Sequence, residues 1–225
     1  MSSGPGKLPA VNIAQRRLEE KERRRADIVH AAADLAAGAG WDAVTMDGVA
    51  RHARLSRALV YLYFKDKSAL HAALCEHAGT LLAQRFGEAV ARHRTGLAQI
   101  EAIGRAYVAF AAEMPQYFEA VSRFEARVPE AGDPDSPDLR ALRGNDPAKR
   151  LMIDAIERGI ADGSIRRDVG KPPVVAIALW GLTHGIIQIA ATKAAQIARQ
   201  GVSTRELTDQ AFLMLHRALA PPDTG

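Results

Sequence analysis

A single cysteine, Cys75, stands in the 225 residues, so the chain forms no internal disulfide and can build neither a CxxC pair nor a cysteine-rich zinc site. A reducing, cytoplasmic setting is expected. Also missing are a Walker loop, a dinucleotide glycine fingerprint behind a strand, a nucleophile elbow and a paired-histidine metal motif. No catalytic residue, metal or cofactor is therefore assigned, and an enzyme is not expected. Aromatic residues are scarce, at 5%, while 48% of the chain is hydrophobic. That apolar share is carried by Ala, Leu, Ile and Val at helical spacing, which predicts an all-α fold. The N-terminal stretch MSSGPGKLPAVNIAQRR has no apolar core of signal-peptide length. Only residues 174–191 are apolar enough for a membrane span. Thr183, His184 and Gln188 interrupt them, so they read as a buried helix and no membrane partner is expected. Charge is nearly balanced: 25% charged residues leave a net +4, which permits an anionic partner without demanding one.

What is present is clearest in residues 45–70, TMDGVARHARLSRALVYLYFKDKSAL, where two short helical patterns are joined by too few residues for anything but a tight corner. Thr45 caps the first, with Asp47 in its first turn and Met46, Val49 and Ala50 facing inward. Ser56 caps the second, Arg57 to Phe64, whose Val60 and Phe64 lie at i and i+4 and close over the first helix. Arg57, Ala58, Leu59, Tyr61, Leu62 and Tyr63 remain on the open face. Such a set suits a DNA groove: Arg forks onto guanine, apolar groups touch thymine methyls and tyrosine hydroxyls bond phosphates. Lys67 follows the cap Asp66 in the first turn of the next helix, where the dipole disfavours a cation and a phosphate would reconcile the two.

On these residues, GWDAVTMDGVA and then LSRALVYLYFKDKSAL, the chain resembles the DNA-binding domain of the TetR (tetracycline-repressor-like) transcriptional regulators over residues 25–75. The resemblance implies an all-helical homodimer on a palindromic double-stranded DNA operator, most often a repressor released by a small-molecule effector. It implies a three-helix reader followed by a helical domain for ligand and dimer. The divisions expected here are a basic extension over 1–22, the helix-turn-helix domain over 23–68 and the effector and dimerisation domain over 69–225. Carried over, phosphate contacts fall on Thr45, Tyr63 and Lys67, and base-proximal positions on Arg57, Ala58, Leu59 and Tyr61. Three positions depart from the family pattern: Arg54 where glycine is usual in the turn, Leu62 where an aromatic or His is usual, and Gly48 where an acidic residue often completes the cap.

Before the reader, residues 1–14 are rich in Gly, Ser and Pro and are expected to be disordered. Cations and glutamates interleave from Arg16 to Arg25, as a solvated helical extension or an arm on DNA; contact is favoured for Arg23, Arg24 and Arg25, where three cations run together. Ile28, Ala32, Leu35 and Ala39 define a helix ended by Gly38 and Gly40, with Trp41 stapling the corner rather than stacking on a base.

After the reader, a long helix runs from Lys67 toward Arg92. Its His71 and Cys75 lack the further ligands a metal site needs. Leu97, Ile100, Gly104, Val108 and Ala111 mark the next helix, followed by a short one with Tyr117, Phe118 and Phe124. Residues 129–147 read as a long mobile loop, and their DPDSPD run lacks the Gly and terminal Glu of a calcium loop. A helix through Leu151 and Ile156 ends near Gly163; one from Pro173 to Arg199 closes at Gly201; Ser203 and Glu206 form a capping box for the last. On the penultimate helix Trp180, His184 and Gln188 make a stripe that either packs in the core or lines a pocket with Tyr107, Phe110 and Tyr117. The two last helices carry more apolar surface than one core needs. By the resemblance they form a four-helix bundle with a second copy, through Gly181, Gly185, Leu207, Phe212 and Leu215. The competing reading is a helical protein-interaction module without DNA binding, which has no use for Lys67 or the exposed Arg57 and tyrosines.

Overall fold

In the computed structural model, which describes residues 13–126 and 136–222, every regular element is a helix. Of residues 1–14, expected to be disordered, 1–12 lie outside the described residues and Ile13 and Ala14 are helical; of the loop expected over 129–147, residues 129–135 lie outside them as well. The chain divides into two compact units, Met1–Leu70 and His71–Gly225.

The first unit holds α1 (Ile13–Ala43), α2 (Met46–His52) and α3 (Arg57–Tyr63), and α4 (Lys67–Val90) starts at its end. Ile28 and Ala32 are wholly buried on α1, and the basic stretch from Arg16 to Arg25 is helical in the same element. The helix runs past Gly38 and kinks at Gly40 (φ 76°, ψ 162°), where a side chain would be strained. Trp41 is buried beyond the kink, as a corner staple should be. Both helix starts obey the capping chemistry: Thr45 Oγ1 accepts from the Gly48 amide at 3.0 Å and Ser56 Oγ from the Leu59 amide at 3.2 Å. Met46, Val49, Ala50, Val60 and Phe64 are all buried, so the two short helices cannot slide without opening this core. Between them Arg54 adopts φ 56°. That is the left-handed region, where a Cβ costs roughly 1–2 kcal/mol that glycine would not bear.

The second unit is built on α4, α5 (Gly96–Glu113), α6 (Pro115–Glu125), α7 (Pro137–Gly144), α8 (Asp146–Asp162), α9 (Pro172–Thr192), α10 (Ala194–Ala198) and α11 (Thr204–Leu219). Central α5 packs against α6, α8, α9 and α11. The helix marked by Leu97, Ile100, Gly104, Val108 and Ala111 is present; its buried stripe is Gln99, Ile100, Ile103, Tyr107 and Phe110, and Leu97, Gly104, Val108 and Ala111 are half-buried. Two expectations fail. Residues 137–144 are helical, because Ser136 Oγ accepts from the Leu139 amide at 3.2 Å and Pro137 occupies the first turn. Ser followed by Pro is itself a helix start, masked there by the surrounding Asp, Pro and Gly. The penultimate helix also stops at Thr192, since Lys193 leaves helical geometry (φ −121°, ψ 15°) before short α10. The capping box of Ser203 and Glu206 is formed.

Two glycines set the crossing of α5 and α8. A Cβ on Gly96 would run into the backbone of Gly159 and the carbonyl of Ala155. The same corner is sealed by hydrogen bonds, the Gly96 amide donating to Asp162 Oδ2 at 2.8 Å and the Leu97 amide to Ser164 Oγ at 3.1 Å. Gly96→Ala should therefore destabilise the second unit by about 3 kcal/mol, the upper range for forced overpacking. Gly87→Ala, where an added Cβ meets nothing within 4 Å, should be neutral or stabilise by up to about 1 kcal/mol. Urea denaturation of both variants checks the contrast.

Candidate nucleic-acid interface and ligand cavity

On α3, Arg57, Ala58, Tyr61 and Leu62 are exposed, Leu59 and Tyr63 are half-buried, and Leu62 stands 79% open. Arg57 Nε donates to Asp47 Oδ1 at 2.9 Å and its guanidinium lies 5.5 Å from the Tyr61 ring centroid. This exposed ion pair is worth under about 1 kcal/mol, whereas a bidentate contact to guanine gives roughly 1–3 kcal/mol. Arg57 can thus exchange Asp47 for a base. Thr45 keeps its hydroxyl exposed beside its capping role.

Lys67 is more committed. Its ammonium donates to the Asp42 carbonyl at 3.1 Å and lies 5.1 Å from the Trp41 ring centroid, which offsets its position in the first turn of α4 without any phosphate. Asp66 caps that helix by accepting from the Ala69 amide at 2.7 Å. Of the three consecutive arginines on α1, Arg23 is exposed while Arg24 and Arg25 are half-buried, and the Arg25 guanidinium lies 5.6 Å from the Phe64 ring centroid.

In the second unit, the six residues read as a pocket do not stay together. Tyr107 and Trp180 line a cavity of about 280 Å³ with Leu82, Phe86, Met152 and Ile177. Gln188 lies on a separate, more open groove with Ser122 and Arg105. Phe110 is wholly buried under Arg85, and Tyr117 packs against the His77 ring. Those two are core residues. His184 is half-buried beside the cavity, in ring contact with Tyr107, Phe118 and Trp180.

Its two nitrogens bond to hydroxyls, Nδ1 to Tyr107 at 2.7 Å and Nε2 to Ser122 at 3.3 Å. Ser122 has already given its one proton to the Phe118 carbonyl, at 2.9 Å. Nε2–H must then donate to Ser122 Oγ, and the Tyr107 hydroxyl must donate to Nδ1. Burial lowers the imidazole from its ordinary value of 6.5 and keeps this neutral tautomer. Nothing in the sequence marked Ser122, because its hydroxyl meets His184 only after α6 is laid beside α9.

Among the described residues no group of three or more His, Cys, Asp and Glu is placed to hold a metal ion. Cys75 is wholly buried, its thiol donating to the Ala120 carbonyl at 3.3 Å.

Residues 28–74 match the sequence model of the tetR family of bacterial regulatory proteins, and residues 100–215 match that of the tetracyclin repressor-like C-terminal domain. The chain belongs to the tetR family. Solved structures share the fold. A protein of unknown function from Rhodococcus sp. RHA1 is 22% identical, with TM-score 0.70 over 88% of this chain and 95% of that one. The MbdR regulator from Azoarcus sp. CIB is 20% identical, with TM-score 0.62 over 88% and 100%. The transcriptional regulator FadR from Bacillus subtilis, solved in complex with stearoyl-CoA, is 15% identical, with TM-score 0.66 over 85% and 97%. No curated protein sequence matches the chain. As a tetR-family member it is a transcriptional regulator, with a helix-turn-helix DNA-binding domain and a ligand-binding domain.

The His184 node of this regulator has a pH signature. The unfolded chain takes up the imidazole proton near 6.5 and the folded chain only below it, so stability declines as pH falls through 6.5 and levels off beneath the depressed value. His184→Gln should remove this part of the decline, which sets in as pH falls through the ordinary value of 6.5. It should also cost roughly 1–3 kcal/mol at neutral pH if either hydroxyl loses its partner. Denaturation series of both proteins on either side of that pH check it.

Proposed function

We propose that the protein is a ligand-responsive repressor that binds a palindromic operator as a homodimer and releases it when a small molecule occupies the second unit. The observation that carries the DNA half is the open face of α3, which exposes Arg57, Ala58, Tyr61 and Leu62. On this reading Arg57, Ala58, Leu59 and Tyr61 meet bases, while Tyr63 meets phosphates together with Thr45 and Lys67 from the neighbouring segments. Arg23, Arg24 and Arg25 add charge nearby in the sequence. Membership of the tetR family supports the same reading over that of a helical interaction module.

Two-fold pairing is supported by apolar surface that one chain leaves uncovered. α9 exposes Val174, Ile177, Leu182 and Ile189, and α11 exposes Leu213 and Met214. Along α9, a Cβ on Gly181 or Gly185 meets nothing within 4 Å in its own chain. Each glycine nevertheless costs a helix about 1 kcal/mol relative to alanine. A close approach by the same helix of a second copy gives both positions a reason. Phe212 does not belong to that face: it is buried, and its ring occupies the space beside Gly104. Leu207 and Leu215 are half-buried, and Leu213 and Met214 are the large apolar side chains that α11 exposes beside them.

The 174–191 stretch is long and apolar enough to cross a membrane, with mean hydropathy 1.8 for its helix. A bundle helix that is covered on one side by α5, α8 and α11 and on the other by a second copy has the same composition.

Selection from random duplexes should recover a two-fold symmetric site. On it Arg57→Ala should relax base preference, and Lys67→Ala should lower the salt slope by about one unit while loosening the Asp42 corner. Unchanged affinity and slope in Lys67→Ala would remove its phosphate role. Gly185→Leu should keep the protomer's helical content by circular dichroism but give a monomer by sedimentation, lower the melting temperature by the lost dimer linkage and lose operator affinity; a wild-type monomer at micromolar concentration would end the dimer proposal.

A further inference from the structure

The 280 Å³ cavity is apolar almost throughout, walled by Leu82, Phe86, Met152, Ile153, Ile177 and Trp180. Besides Tyr107, whose hydroxyl bonds His184, and the Trp180 indole, its polar groups stand at the start of α8, where Asn145 and Lys149 lie one turn apart and both line it. Asn145 is only 8% exposed, yet it makes no capping bond, and its amide has no hydrogen-bond partner among the described residues. Neither amide atom is sealed off inside the protein, so this group at the cavity wall is open to a ligand's hydrogen bond. Lys149 is exposed and joins no ion pair among the described residues. Behind both lies the positive end of a seventeen-residue helix, whose first amides have no helical acceptor.

We infer that this cavity takes a small monoanionic amphiphile, an aliphatic or aryl-alkyl carboxylic acid, with its hydrocarbon among the apolar walls and its carboxylate between Asn145 and Lys149. The inference rests on the ligand-responsive reading above and supplies its chemistry. A carboxylate oxygen accepts from the Asn145 amide while the other meets the Lys149 ammonium, so the anion keeps polar partners as its tail leaves water. An apolar space of about 280 Å³ suits a short hydrocarbon tail. A coenzyme ester would bring several phosphates to a site with a single lining cation, Lys149.

The test uses the full chain with octanoate, 3-phenylpropanoate, their alcohols 1-octanol and 3-phenylpropanol, and octanoyl-CoA, by calorimetry. At least one acid should bind about tenfold or more tightly than its own alcohol. Lys149→Met, which keeps the side chain's hydrocarbon stem at an exposed position, should abolish that preference while leaving alcohol binding and the melting temperature unchanged; Lys149→Arg should restore it. Acids and alcohols binding alike, a preference that survives Lys149→Met, no binding by any probe, or octanoyl-CoA binding more tightly than octanoate would each overturn the inference. Operator affinity at saturating acid separates the two readings. Lys149-dependent binding with unchanged operator affinity would leave this site standing and defeat the ligand-responsive repressor.

Discussion

The crossing of α5 over α8 at Gly96 and Gly159 is the constraint on which the second unit depends, because two backbones meet there where no side chain fits. Asp162 and Ser164 turn that contact into a fixed corner by capping the start of α5 from the end of α8. Once the corner is set, Tyr107 on α5 and Met152 on α8 must face the same space, and α9 closes it with Pro173, Ala176, Ile177 and Trp180. The cavity is thus a consequence of a backbone approach two to three turns away. The Tyr107, His184 and Ser122 chain then ties α5, α9 and α6 together.

The first unit balances strain against order in another way. Arg54 holds a left-handed backbone at a cost of roughly 1–2 kcal/mol, while Thr45 and Ser56 return about 1 kcal/mol each through their caps. The corner is therefore closed at little net cost, and an extra guanidinium is displayed beside α3. Arg57 is held out by Asp47 and Tyr61 in an arrangement weak enough to yield to a base.

Local chemistry was readable in the sequence and distant chemistry was not. Thr45, Ser56, Asp66 and the Ser203–Glu206 box act on amides two or three residues away, so their roles follow from spacing alone. Val60 and Phe64 likewise announce the buried side of α3 by their one-turn interval. Lys67 meeting Trp41 and Asp42, and Ser122 meeting His184, are decided by chain folding across many residues, which no period encodes. The stripe of Trp180, His184 and Gln188 divides because a helix stripe is wider than one cavity, and Asn145 was missed within a segment taken for a loop. Phe212 shows the limit of one-sided counting: at its helical spacing it could have faced either way, and the absent side chain of Gly104 made room inside.

A two-fold reader places its recognition helices about one DNA turn apart, roughly 34–36 Å centre to centre, on one face of the duplex. Hydroxyl-radical footprinting of the full-length protein on its selected duplex observes that geometry directly. The account predicts two protected patches on one face, related by the site's symmetry and separated by one helical turn. A single patch, or unbroken protection without symmetry, would contradict it.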